Sequence, residues 1–201
     1  MKKLITAMVL AGCALLLTTC KKGKDDPAFS LLTRKARLAG EWKLVSGNVS
    51  VTYPNTSTNT IYNEYFVFDG SALTLNVTEA GTPPVIYTGK YGLTLSIKKD
   101  GTFTVTETLS SKVFSASGTW NFTSGVGKAK NKDGVLFKVT TLNSGKSNFH
   151  LFNQTGLEFS YKVTELRNKK IVLDTDVDLY RYPAEKDYTS YSSHYELKNS
   201  K

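Results

Sequence analysis

Cysteine is nearly absent from this chain, and its placement excludes more than its number does. The two thiols, Cys13 and Cys20, both fall within the first twenty residues. The remainder therefore has no disulfide staple and no thiolate for metal binding or nucleophilic attack. Histidine is equally scarce: His150 and His194 stand far apart, with neither cysteine nor a suitably spaced histidine beside them. That excludes a zinc pattern and leaves them surface or capping roles. No Gly-x-Ser-x-Gly elbow and no phosphate-cradling glycine loop occurs, and Gly125-Val126-Gly127 is turn material. These absences predict a protein that is not an enzyme and that carries no metal and no cofactor.

Clustered charge is missing as well. The formal net charge is +9, and +7 once a segment carrying Lys2 and Lys3 is removed, but the surplus is spread along the chain. Nucleic acid binding needs a basic stripe, so no nucleic acid partner is expected. A solvated basic surface, weakly attractive to anionic lipid or polysaccharide, fits the distribution.

The first thirty residues read as export and anchoring. A charged Met1-Lys2-Lys3 start and the apolar run over residues 4–17 make a secretory signal too short for a membrane span. The segment ends at Leu17-Thr18-Thr19-Cys20. This ending resembles the lipobox of bacterial lipoproteins, which implies cleavage after residues 1–19 and diacylglycerol attachment to Cys20. Leu10-Ala11-Gly12-Cys13 fits the pattern around the cleavage point better. Lipidation at Cys13, however, would strand an apolar spur over residues 14–19, whereas Cys20 uses the whole hydrophobic run and exposes Lys21-Lys22 at once. Cys20 is the favoured anchor, and residues 20–29 are its polar tether. Lys24-Asp25-Asp26 resembles the lysine-plus-acidic export signal of surface-displayed lipoproteins, implying the outer membrane and its external face over its periplasmic one.

From residue 30 the chain builds a folded body. Ser30 can cap an amphipathic helix of two to three turns with Leu32, Ala36 and Ala39 on one side and Gly40 as its stop. Residues 41–53 follow as a strand, and Pro54 to Asn59 form a polar loop. From Ile61 the period is two. Leu73, Leu75 and Val77 alternate with polar residues, as do Leu93, Leu95 and Ile97, before Lys99-Asp100-Gly101 makes a tight hairpin. Phe103 and Val105 return, then Phe114, Ala116, Gly118, Trp120 and Phe122 share one face. Further strands are expected at 135–142, 149–152, 157–163 and 171–180. With no second helical pattern, this predicts an all-β, antiparallel up-and-down barrel of about eight to ten strands over residues 30–182, since closure removes exposed edges. A two-sheet sandwich is the alternative. Past Pro183, Tyr188, Tyr191 and Tyr195 suit a terminal helix over 183–201, or a frayed tail.

Gly40-x-Trp42, opening a strand just after a short helix, resembles the lipocalin signature, in which the tryptophan closes one end of the barrel. Together with Ser117-Gly118-Thr119-Trp120 and the lipobox, the body is similar to lipocalin-like lipoproteins of outer-membrane bacteria. The resemblance implies a structural role for Trp42. An arginine stacked on that tryptophan would be Arg167 or Arg181.

Asp174, Asp176 and Asp178, with Glu185 eleven positions after Asp174, mimic a calcium loop. Leu179 stands where such a loop needs glycine, and the alternation puts the aspartates on the outer face of a strand, so a solvated acidic stripe is expected. Inside the barrel, Phe103, Phe114, Ala116, Gly118, Trp120, Phe159 and Tyr161 are the candidate lining. Ala116 and Gly118, and Thr175 if it points inward, leave room for a small apolar or amphipathic ligand. A filled core is the alternative. Two functional readings follow: a membrane-anchored binding module holding that ligand, or a non-catalytic surface protein whose filled barrel presents loops such as residues 53–60 to a protein or glycan. Nothing in the pattern sets an oligomeric state.

Overall fold

The computed structural model describes residues 32–55, 57–123, 134–144, 158–179 and 189–200. The signal, both cysteines, the tether, Ser30, His150, Arg181, Glu185, Gly125 to Gly127 and the expected strand at 149–152 lie outside them. The first element is helix α1, Arg34–Leu38, shorter than expected. Thr33 is its N-cap, accepting from the Ala36 N–H at 3.1 Å. Gly40 is not its stop: Ala39 already has extended backbone (φ −68°, ψ 125°), and Gly40 is the first residue of the next strand. Leu32, 48% exposed, is off the packed side, whereas Leu38 is wholly buried. The helix is pinned by its arginines. Arg37 Nη1 donates to the Leu166 carbonyl at 2.9 Å, and Arg34 Nη2 to Val163 at 3.3 Å.

Among the described residues ten strands follow: β1 Gly40–Asn55, β2 Thr60–Phe68, β3 Ala72–Glu79, β4 Val85–Ile97, β5 Thr102–Leu109, β6 Lys112–Thr123, β7 Gly134–Ser144, β8 Glu158–Arg167, β9 Lys170–Leu179 and β10 Thr189–Asn199. Each pairs antiparallel with the next, and β10 returns to β1, so the sheet is a closed up-and-down barrel in sequence order. β1 also meets β4, from Gly40 opposite Ile97 to Lys43 opposite Thr94. Closure rests on a long register from Trp42 opposite Asn199 to Thr52 opposite Ser190.

Within the expected C-terminal segment, residues 189–199 are therefore a strand, not a helix or a frayed tail. Tyr191 and Tyr195 are four apart, a spacing that suits one face of a helix and equally one face of a strand. Ser193 between them and Leu197 beyond them are also buried, and that is a period of two.

Alternation places the core. Trp42 is fully buried, and its indole N–H donates to the Leu38 carbonyl at 2.8 Å, which ties the end of α1 to the base of β1 and closes that end of the barrel. At the β4–β5 hairpin, the Lys98 N–H reaches the Thr102 carbonyl at 2.9 Å and Gly101 adopts φ +96°, which a side chain would resist. Asp100 accepts from the hydroxyl and N–H of Thr102, and these bonds hold its carboxyl below the usual range.

Candidate functional site

The predicted lining residues lie on the inward faces of their strands, and several of them pack against one another. Phe103 and Tyr161 belong to a chain of rings that crosses the interior. Phe103 meets Phe137 at 5.1 Å between centroids, Phe137 meets Tyr161 at 6.2 Å, and Tyr161 meets Tyr195 at 6.1 Å. Tyr195 continues to Phe68 at 6.1 Å, and Phe68 to Tyr91 at 4.8 Å. All are tilted or edge-on, the arrangement that aromatic quadrupoles favour. Phe114 and Phe159 are half-buried at the margin of this packing, and Ala116 is buried within it.

Trp120 belongs to the closed end: its indole N–H donates to the Lys98 carbonyl at 2.8 Å, its ring packs edge-on against Phe122, and Lys35 Nζ of α1 lies 5.9 Å from its centroid. Gly118 leaves no room. A Cβ built there would lie 2.0 Å from the Lys138 carbonyl oxygen and 2.9 Å from Phe103 Cε1. The strand register shifts between Ser117 and Gly118, and this brings the β7 backbone against the glycine. Thr175 is not opposite these residues but beside Ser193 on β10.

Alternation on the sequence does not reveal a buried hydroxyl cluster further along the barrel. Tyr91 on β4 donates to the Glu107 carboxylate on β5. The Tyr191 and Tyr195 hydroxyls of β10 stand 3.2 Å apart. Tyr161 Oη and Ser193 Oγ lie close enough to Tyr191 to affect its ionisation, yet neither makes a hydrogen bond among the described residues. Burial pushes all four phenols up, Tyr91 further because of the Glu107 carboxylate, so all four stay protonated donors at neutral pH. A signal for this cluster existed. Glu107 continues the inward series Phe103 and Val105, and a carboxylate on a core face is never incidental. Half-buried Tyr53, Leu75, Leu109 and Leu142 pack against the hydrophobic core as a whole.

On the outer wall, register aligns Asn48, His194, Asp174 and Lys162 across β1, β10, β9 and β8. His194 Nδ1 and Asp174 Oδ1 are 2.6 Å apart, and the Thr164 hydroxyl donates to the other Asp174 oxygen at 2.5 Å. These residues border an open polar depression with Ser160 and Ser192. Asp174 thus faces a histidine and a threonine, and residues 174–179 of the stretch that mimics a calcium loop lie within β9. Arg167 is exposed and paired with Glu165. Among the described residues, no three His, Cys, Asp or Glu side chains gather as a metal site, and no helix is long and apolar enough to cross a membrane.

No family model and no curated protein matches the chain. Among solved structures, that of Rv2717c from M. tuberculosis aligns at 12% identity over 86% of this chain and 100% of its own, with a TM-score of 0.28.

Proposed function

We propose that the protein is a membrane-anchored, non-catalytic binding module whose barrel takes a small amphipathic ligand at the hydroxyl cluster, not at the Trp120 end. The observation that carries this reading is that Tyr161 Oη and Ser193 Oγ are buried beside the Tyr191 hydroxyl without reaching good hydrogen-bond geometry to any described residue. An unsatisfied buried polar group costs about 1–3 kcal/mol. A ligand's polar group between Tyr161, Ser193 and Tyr191 would recover that cost, with its tail against the surrounding apolar core. The anchor is lipid on Cys20, and the outer membrane, with its external face, is the proposed location.

A second reading keeps the barrel filled and assigns the function to its exterior. The continuous ring packing from Phe103 to Tyr91 favours it, as does the exposure of Ile61, Tyr65 and Ile86 on neighbouring strands. Native mass spectrometry of protein from its own host, with uptake of an environment-sensitive apolar dye, separates the two. The ligand reading expects a co-purifying mass and dye uptake that Tyr161→Phe weakens several-fold while leaving the fold as stable or more so. A clean apo mass with no dye uptake by the parent leaves only the exterior reading. Alkyne fatty acid labelling that persists in Cys20→Ala and vanishes in Cys13→Ala would move the anchor.

A further inference from the structure

β4 is longer than its neighbours can cover. Residues 91–97 pair with β5, and residues 94–97 also pair with the start of β1. Among the described residues, residues 85–89 pair with β3 only. β5 ends at Leu109, opposite Tyr91, and the chain turns back there into β6. Among the described residues, nothing pairs with the second edge of residues 85–89.

Residues of an antiparallel strand aim their N–H and C=O groups alternately to the two sides. The Tyr91 N–H goes to Ser71 O on the β3 side at 2.8 Å, and the Lys90 carbonyl accepts from Ser110 on the β5 side at 2.8 Å. Counting back by twos, Val85, Tyr87 and Gly89 aim at β3, while Ile86 and Thr88 aim at the open edge. The edge is also apolar: Ile86 is 64% exposed, Tyr87 60% and Val85 44%. Register carries the outer face from Ile86 through Asn76 to exposed Tyr65. Only Pro83-Pro84 before it and Lys90 after it blunt the edge, the devices that limit runaway pairing.

We propose that this edge pairs with the same edge of a second copy of the chain, about a two-fold axis at Tyr87. From Gly81 to Gly89 no residue is charged, in a chain of net charge +9. This is a place where two copies meet without opposing like charges, and where a charged peptide finds no counterpart. An antiparallel register centred on Tyr87 sets Ile86 opposite Thr88 of the other copy, twice over. Both residues aim at the shared edge, so the register closes two reciprocal pairs of backbone hydrogen bonds. A slip of one residue would oppose them to groups already turned towards β3 and close none. A lipid surface is the poorer occupant, because hydrocarbon cannot satisfy the N–H and C=O of Ile86 and Thr88. The proposal does not depend on whether the barrel takes a ligand. Tethering to one membrane would favour it by raising effective concentration.

Sedimentation velocity of the full chain in a non-denaturing detergent tests the proposal. The parent is expected to sediment as a dimer. Thr88→Pro removes an edge N–H without touching the β3 bonds, and Ile86→Lys sets two positive charges near the axis. Each should raise the dissociation constant at least about tenfold. In a Cys13→Ser, Cys20→Ser background, Tyr87→Cys should oxidise to a linked dimer and Val113→Cys should not. A parent that is monomeric at roughly 100 µM, whether or not it binds liposomes, overturns the proposal. So does a dimer that survives both edge variants and fails to cross-link at position 87. If Thr88→Pro fails to fold, Ile86→Lys and Tyr87→Cys still decide.

Discussion

At the scale of single residues, glycine carries the sharpest lesson. A missing side chain on a core face can mean spare volume, or it can mean that another backbone occupies the space. Gly118 is the second case, with the Lys138 carbonyl where a Cβ would go. Gly118→Leu is therefore expected to destabilise by at least about 1–3 kcal/mol through overpacking, read as a drop in the denaturant midpoint at unchanged slope. A variant as stable as the parent would restore the void. The sequence shows which face Gly118 is on. It does not show the register shift on β6 that brings β7 so close. Glu107 is the converse: its inward position is legible from Phe103 and Val105, but its meaning depends on Tyr91, sixteen residues away across a hairpin.

At the scale of elements, strands with one polar face and one apolar face are legible almost to their ends, because a closed barrel demands strict alternation. The expected strand over 171–180 and the observed β9, Lys170–Leu179, differ by one residue at either end. Legibility fails where two periods coincide. Tyr191 and Tyr195 satisfy both, and β10 is recognisable only from its partners, ten register pairs with β9 and a long ladder with β1. A dispensable tail and a closing strand predict opposite results on truncation. Removing residues 189–201 would strip the partner from both β1 and β9, exposing two long edges and half of the tyrosine cluster. The expected outcome is aggregation or loss of cooperative thermal unfolding, followed by circular dichroism. A truncated chain that melts as sharply as the parent would show that β10 does not close the barrel.

At the scale of the whole molecule, the barrel buries four tyrosines from β4, β8 and β10 in one interior, and this fixes how the fold should respond to base. Burial raises the folded-state values of Tyr91, Tyr161, Tyr191 and Tyr195, and the Glu107 carboxylate adds to the rise at Tyr91. In the unfolded chain these phenols ionise near pH 10. The unfolded state therefore gives up its protons first. The stability these groups confer is complete below about pH 10 and falls away as pH rises past that point towards their folded-state values. The unfolding midpoint should be flat with respect to these four through neutral pH and decline steeply in base. Tyrosinate absorbance at these positions should appear together with the loss of β circular dichroism, and Tyr161→Phe should soften the decline. If all the tyrosines instead ionise near pH 10 while the β signal persists, water reaches the cluster. The burial of the cluster would then be wrong, and with it the argument that Tyr161 and Ser193 await a ligand's polar group.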